Sequence, residues 1–240
     1  MCNRVRRGSI DRTRLATMVE EFSIFTSYDG EEFPAKYNVA PTDPLLIVRN
    51  QGGEPHREFA VARWGLVPFW AKDAKIGRTM TNARAEGIAE KPAWREPFRK
   101  RRCVVLVEGY YEAKSVPGRQ GKLFYDFSLK SGGTFALAGL WDRCEKAGAP
   151  LETASVVTTT PNSLAEQVHD RMPVILSPEA IDLWLDPSIE DPRRLLPLLA
   201  PFDPSKMRAV PLANYVNKVG NEGPQCLEPA EDPTGELVLV

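Results

Sequence analysis

An α+β fold is what this sequence predicts, with antiparallel sheet and hairpins kept apart from the helices, and three observations carry it. Leu15, Met18, Val19 and Phe22 recur at the spacing of one helix face, so residues 11–24 read as an amphipathic helix. After it come short β-branched or aromatic segments: Leu45 to Val48, Glu58 to Trp64, Arg102 to Val107, Leu123 to Leu129, Thr134 to Leu140 and Thr153 to Thr159. Turns such as Gln51-Gly52-Gly53 and Ser131-Gly132-Gly133 separate them. Later helices are announced by Thr160-Pro161, Ser177-Pro178 and Asp191-Pro192, each a capping side chain set before a proline at the first helical position.

The 240 residues are 42% apolar, with 21 Pro, 17 Gly and 4 Cys, a composition that argues against a disordered, collagen-like or disulfide-stapled chain. Uninterrupted apolar runs such as Cys103 to Val107 fall far short of the roughly 20 residues a membrane helix needs. Met1 to Gly8 carries positive charge with no apolar stretch behind it, so a secretory signal is not expected and a reducing cytoplasm is. Cysteines at 2, 103, 144 and 226, with no Cys-x-x-Cys and only two histidines, argue against structural zinc; no metal or cofactor is expected. No break divides the chain, so one domain over residues 1–226 is expected, followed by an acidic, loosely held tail over 227–240.

Net charge is −1, yet it is unevenly spread: residues 1–14 carry +4 and residues 63–114 carry +6, against −5 for 15–62 and −6 for 115–240. The two basic blocks, with Arg6-Arg7 and Arg99-Lys100-Arg101-Arg102, suit either a phosphate-bearing partner or a solvated face.

Several residues carry chemistry. Removal of Met1 would leave Cys2 with an α-amine and a thiol, both partly nucleophilic near neutrality. An aldehyde meeting both would form a Schiff base and then a five-membered thiazolidine, the second step made fast by its intramolecularity. The plain alternative is a residue of a frayed terminus. His169, in Val168-His169-Asp170-Arg171-Met172-Pro173, is either a proton carrier or a structural imidazole; His56 reads as a turn residue. Glu112 follows an apolar strand, where a half-buried carboxyl acts as acid or base; Glu108 competes with it, and strand alternation would put both on one face with Tyr110. In Thr81-Asn82-Ala83-Arg84-Ala85-Glu86, Asn82 offers an amide to a reacting atom, while Arg84 suits a phosphate or Glu86. Trp64-Gly65-Leu66-Val67-Pro68-Phe69-Trp70, followed by Lys72, Lys75 and Arg78, would stack on bases if exposed and form core if buried.

Together, Met1-Cys2-Asn3-Arg4, Tyr37-Asn38-Val39-Ala40-Pro41-Thr42, the Trp64 to Trp70 segment, Asn82 to Glu86, Glu108-Gly109-Tyr110-Tyr111-Glu112 and Val168 to Pro173 resemble the SOS-response-associated peptidase (SRAP) family of abasic-site processing proteins. The match runs in order from Cys2 to about Asn221. The resemblance implies a single α+β domain with a curved, barrel-like antiparallel β-sheet and a basic DNA groove. It implies a substrate, the ring-opened aldehyde of an abasic site in single-stranded DNA, met alone or at a single-strand/double-strand junction by a monomer. By position it implies Cys2 as nucleophile, Asn82 as the amide orienting its amine and the adduct, Glu112 as the carboxylate assisting ring opening, and His169 as acid/base on the Schiff base. Arg4 and Arg84 match residues near the DNA backbone, and Trp70 an aromatic near the junction. Two positions depart from the family pattern: Asn3 stands where Gly is usual, implying a different N-terminal turn, and Ala113 where many relatives carry Trp.

The same Cys2 supports two further expectations. Strand-incising lyase behaviour through the Schiff base and self-cleavage before Cys2 accompany the first reading. An N-terminal-nucleophile amidohydrolase or peptidase would use the freed amine as base for the thiol. A non-catalytic DNA-binding module would need neither group.

Overall fold

The computed structural model describes residues 2–22, 24, 33–50, 56–118 and 121–230. In chain order these form β1 (Val5–Arg7), α1 (Arg12–Glu21), β2 (Lys36–Val39), β3 (Pro44–Asn50), β4 (Arg57–Trp64), β5 (Asn82–Arg84), α2 (Arg95–Lys100), β6 (Arg102–Val107), β7 (Gly109–Ser115) and β8 (Lys122–Leu129). There follow β9 (Phe135–Cys144), β10 (Leu151–Thr159), β11 (Met172–Pro173), β12 (Ile175–Leu176), α3 (Pro178–Leu185), α4 (Pro192–Leu195) and β13 (Met207–Leu212). No helix among them is long and apolar enough to cross a membrane.

Five of the strands close on themselves. β4 pairs with β3, β3 with β6, β6 with β9 and β9 with β10, all antiparallel, and β10 returns to β4 in parallel register, Thr153 opposite Arg63. Closure removes the exposed sheet edges that invite aggregation. A second, antiparallel sheet of five strands runs β13-β8-β7-β1-β2. The expected curved sheet is thus a barrel with a sheet beside it, in one α+β domain; the parallel seam, continued where β10 pairs with β5, carries no signal in the sequence.

All six residues of β6 are buried because both of its faces are covered. Cys103, Val105 and Val107 join a core shared with Cys2, Tyr110 and Phe127. Val104 and Leu106 join Met18, Phe98, Ile181 and Trp184 under the helices, where the Phe98 and Trp184 rings meet at 5.9 Å.

Helix caps follow local chemistry. Asp11 accepts from the Arg14 N–H at the start of α1, Ser177 from Ala180 at α3, and Asp191 from Arg193 at α4. The expected α1 is shorter than 11–24, ending at Glu21. The helix expected after Thr160-Pro161 is absent: Asn162 accepts from the N–H groups of Leu164 and Ala165, and only a 3-10 turn over Ala165–Gln167 follows. Its Nδ2 donates to the Phe202 carbonyl at 2.7 Å, pinning the segment that leads to His169.

The run Arg99 to Arg102 is engaged within the fold by carbonyls and carboxylates. Arg102 is buried and donates to the carbonyls of Trp184, Phe98 and Asp186, Arg101 pairs with Asp142 at 3.1 Å, and Arg99 and Lys100 face Glu190. The expected tail starts as a docked segment, with Ala213 N–H donating to Glu228 and Ala230 N–H to Pro211; residues 231–240 lie outside the described residues.

Candidate active site

Residues 2–4 lead into β1, and the Tyr111 N–H donates to the Arg4 carbonyl, so the N-terminal segment is laid along β7. This places Cys2 at 0% exposure in the core beside Tyr110, whose ring stacks on Phe127 and whose buried hydroxyl has no hydrogen-bond partner among the described residues. Burial pushes the Cys2 thiol well above its ordinary range, the nearby Glu112 charge adding to the shift.

A cavity of about 290 Å³ opens next to it, lined among others by Asn3, Arg4, Glu112, Lys122, Phe124 and His169. Glu112, on β7 opposite Tyr125, is pushed up to about 7, first by burial. His169 Nε2 lies 3.9 Å from Glu112 Oε2. The ring's Nδ1 accepts from the Arg171 N–H at 3.1 Å and lies 2.8 Å from Asp170 Oδ1, whose side chain is 87% exposed. The two contacts on Nδ1 ask for opposite tautomers, a bare nitrogen toward the Arg171 N–H and a protonated one toward the Asp170 carboxylate. Burial holds the His169 pKa below its ordinary value, so the neutral ring prevails at physiological pH.

Asn82 opens β5, in parallel register with Val156. Its Nδ2 donates to Asn3 Oδ1 at 2.9 Å and to Thr81 Oγ1 at 3.2 Å. Cys2 and Asn82 therefore meet through residue 3, while Glu112 and His169 share the cavity.

Other expectations are redistributed. Glu108 precedes β7 and breaks the alternation: it pairs with Arg6 at 3.5 Å and lines a different cavity from Glu112. Glu86 is held by Arg171, not Arg84, and Arg84 is exposed. Arg4 lines the cavity but donates inward, to Asn38 Oδ1 at 2.7 Å and the Val216 carbonyl at 2.9 Å. The aromatic turn divides. Trp64 is fully buried with its N–H on the Thr81 carbonyl, while Phe69 and Trp70 are 47% and 43% exposed near the exposed Lys72, Lys75 and Arg78. Gly65, at φ +117°, makes this turn; a Cβ there would collide with the Gly77 carbonyl oxygen. Lys122 and Phe124 reach the cavity across the β7–β8 pairing, and no local motif marked them. Among the described residues no cluster of three His, Cys, Asp or Glu side chains is placed to hold a metal ion.

A closed barrel with a second sheet beside it defines a single-domain α+β protein, in which Cys2 is buried in the core and Glu112 faces His169 in the adjoining cavity. The SOS response associated peptidase (SRAP) family matches residues 1–219, and the chain belongs to that family. It is 40% identical over 212 residues to abasic site processing protein YoqW of Bacillus subtilis (strain 168), covering 88% of this chain and 93% of that one. It is 30% identical over 224 residues to abasic site processing protein HMCES of Gallus gallus, covering 81% of this chain and 66% of that one. A solved protein structure from Bacteroides thetaiotaomicron is similar with a TM-score of 0.71 and 34% identity, over 81% of this chain and 85% of that one.

Proposed function

We propose that this protein captures abasic sites in single-stranded DNA by closing a thiazolidine between the deoxyribose aldehyde and Cys2, shielding the lesion during the response to DNA damage. Family membership and the relatives named for abasic site processing support the substrate. The single observation that carries the chemistry is Cys2 packed beside Tyr110, with Glu112 and His169 facing each other at 3.9 Å in the adjoining cavity.

The reaction needs Cys2 as the leading residue, so Met1 must first be removed. The α-amine adds to the aldehyde and water departs, giving an imine. The thiol sulfur then bonds to the imine carbon, the C=N π electrons move to nitrogen, and the thiol proton ends there. A carboxyl of pKa about 7 is half ionised at neutrality, so Glu112 both gives and takes protons as the sugar ring opens and the imine forms. His169, a neutral imidazole 3.9 Å from Glu112, passes protons along the same line. Because burial keeps the thiol protonated, the amine reacts first. A hydrolase attacking an amide would instead need the thiolate at the outset. Strand incision from the imine before the ring closes is the accompanying lyase activity.

Phe69 and Trp70 stack on unpaired bases or a duplex end, and Arg84 with Lys72, Lys75 and Arg78 meets the backbone. The protein acts as a monomer in the cytoplasm, at the nucleoid in a bacterium, and residues 1–226 carry the activity. Mixing the purified protein with single-stranded DNA bearing an abasic site tests the reading: a heat-stable adduct forms with the native protein and none with Cys2→Ala. Equal adduct from Cys2→Ala overturns it.

A further inference from the structure

We propose that Asn3 is a positioning residue that locks the Asn82 amide with its oxygen turned toward the reacting amine and sugar. This rests on the thiazolidine reading above and adds a residue to it.

The argument is one of donors and acceptors. A side-chain amide has two N–H donors and one acceptor oxygen. Asn82 Nδ2 donates to Asn3 Oδ1 at 2.9 Å and to Thr81 Oγ1 at 3.2 Å, and the Thr81 hydroxyl donates to Asn3 Oδ1 at 3.1 Å. The three contacts form a closed triangle in which every donor meets an acceptor. With Asn3 Oδ1 as the shared acceptor, flipping the Asn82 amide would set its oxygen against that of Asn3, so the triangle then permits one orientation of Asn82. In that orientation both Asn82 donors are used, and Oδ1 is left buried with no hydrogen-bond partner among the described residues. A buried acceptor without a partner is costly unless something fills it. The groups able to fill it are the N–H of a freed Cys2 amine, one residue from Asn3, and the hydroxyls of an opened deoxyribose. Asn3 is exposed and lines the cavity with Glu112 and His169, so the lock sits at the reaction site. Glycine at position 3 would leave the shorter of the two Nδ2 bonds unmade and free the amide to turn.

The test compares Asn3→Ala, Asn3→Asp, Asn82→Ala and the Asn3→Ala/Asn82→Ala double variant for the rate of adduct formation at saturating abasic single-stranded DNA, alongside DNA affinity and amide hydrogen exchange. Asn3→Ala is expected to slow the maximal rate roughly five- to tenfold, the worth of one hydrogen bond, with DNA affinity unchanged. Asn3→Asp, which keeps an acceptor for both donors, recovers most of the rate. The double variant is no slower than Asn82→Ala, because Asn3 acts only through Asn82. A native rate in Asn3→Ala, or losses that multiply in the double variant, overturns the proposal. Should the native protein form no adduct at all, it is the function above that fails, and the exchange measurement decides the role of Asn3. Faster exchange of the Asn82 side-chain N–H groups in Asn3→Ala supports the lock, and unchanged exchange overturns it.

Discussion

Arg171 holds Glu86 through two parallel bonds, Nη1 to Oε1 at 2.7 Å and Nη2 to Oε2 at 2.9 Å, and so fastens the loop carrying His169 to the segment just after Asn82. Nη2 also donates to the Thr158 carbonyl at 2.7 Å, tying both to β10. The ordered motifs around Asn82 and His169 are thus halves of one clamp. Arg171→Lys keeps the charge but loses the planar fork, and is expected to cost about 1–2 kcal/mol of stability. The adduct rate should fall at least about tenfold as His169 shifts, by analogy with the cost of small misplacements near reacting groups. Denaturant unfolding and single-turnover kinetics on the same variant check both; an unchanged rate would show that the clamp does not place His169.

Glu112 gives stability a pH dependence of definite sign. Its carboxyl is raised from 4.5 to about 7 by burial, so the folded state favours the protonated form. That contribution is complete below about pH 4.5, declines between there and about 7, and is absent above. The Asp170 charge raises the Glu112 pKa further and the Lys122 charge lowers it, which modulates the window. Glu112→Gln, which cannot ionise, should therefore gain on the native protein by on the order of 3 kcal/mol at pH 8 and by little at pH 4. Urea titrations at the two pH values measure this; a gain of equal size at both would rule out the raised carboxyl.

How much of this was legible in the sequence follows from the physics of each element. β3, β4, β6, β8, β9 and β10 announce themselves as short apolar runs, most of them with β-branched or aromatic members, between turn residues. β1 does not, because Arg6 in its middle is balanced by Asp126 at 2.8 Å, a partner 120 residues away. β7 mixes Glu112 and Lys114 into its pattern, so only its start, up to Glu112, is read with strand alternation, and β13, which carries Pro211, is not marked at all. The Thr160-Pro161 cap signal misled because Asn162 captured the turn. Cys2, Asn82, Glu112 and His169 were readable as ordered motifs, whereas Lys122 and Phe124 enter the cavity only through cross-strand register. Asn3, a departure from the family pattern, turned out to bond Asn82.

The exposed and buried tryptophans should separate cleanly. Trp70→Ala is expected to weaken binding to single-stranded DNA by about 1–3 kcal/mol while leaving the unfolding transition in place. Trp64→Ala, fully buried, should instead cost about 3–5 kcal/mol of stability. Binding titrations and thermal unfolding distinguish them, and equal effects of the two on stability would argue that Trp70 is part of the core.

Lys122 is exposed at the cavity beside Glu112. If it meets a phosphate of the captured strand, Lys122→Ala lowers the slope of log affinity against log salt by about 0.7. Titrations over a range of salt concentrations give the slope directly; an unaltered slope would leave Lys122 to the carboxyl alone.

The most direct measurement is the intact mass of the complex formed with an abasic oligonucleotide, without reductant and after heating. The account predicts the mass of a chain beginning at Cys2 plus that of the DNA less one water, with the linkage mapped to Cys2. A mass retaining Met1, or a product that survives only after borohydride reduction, would contradict it.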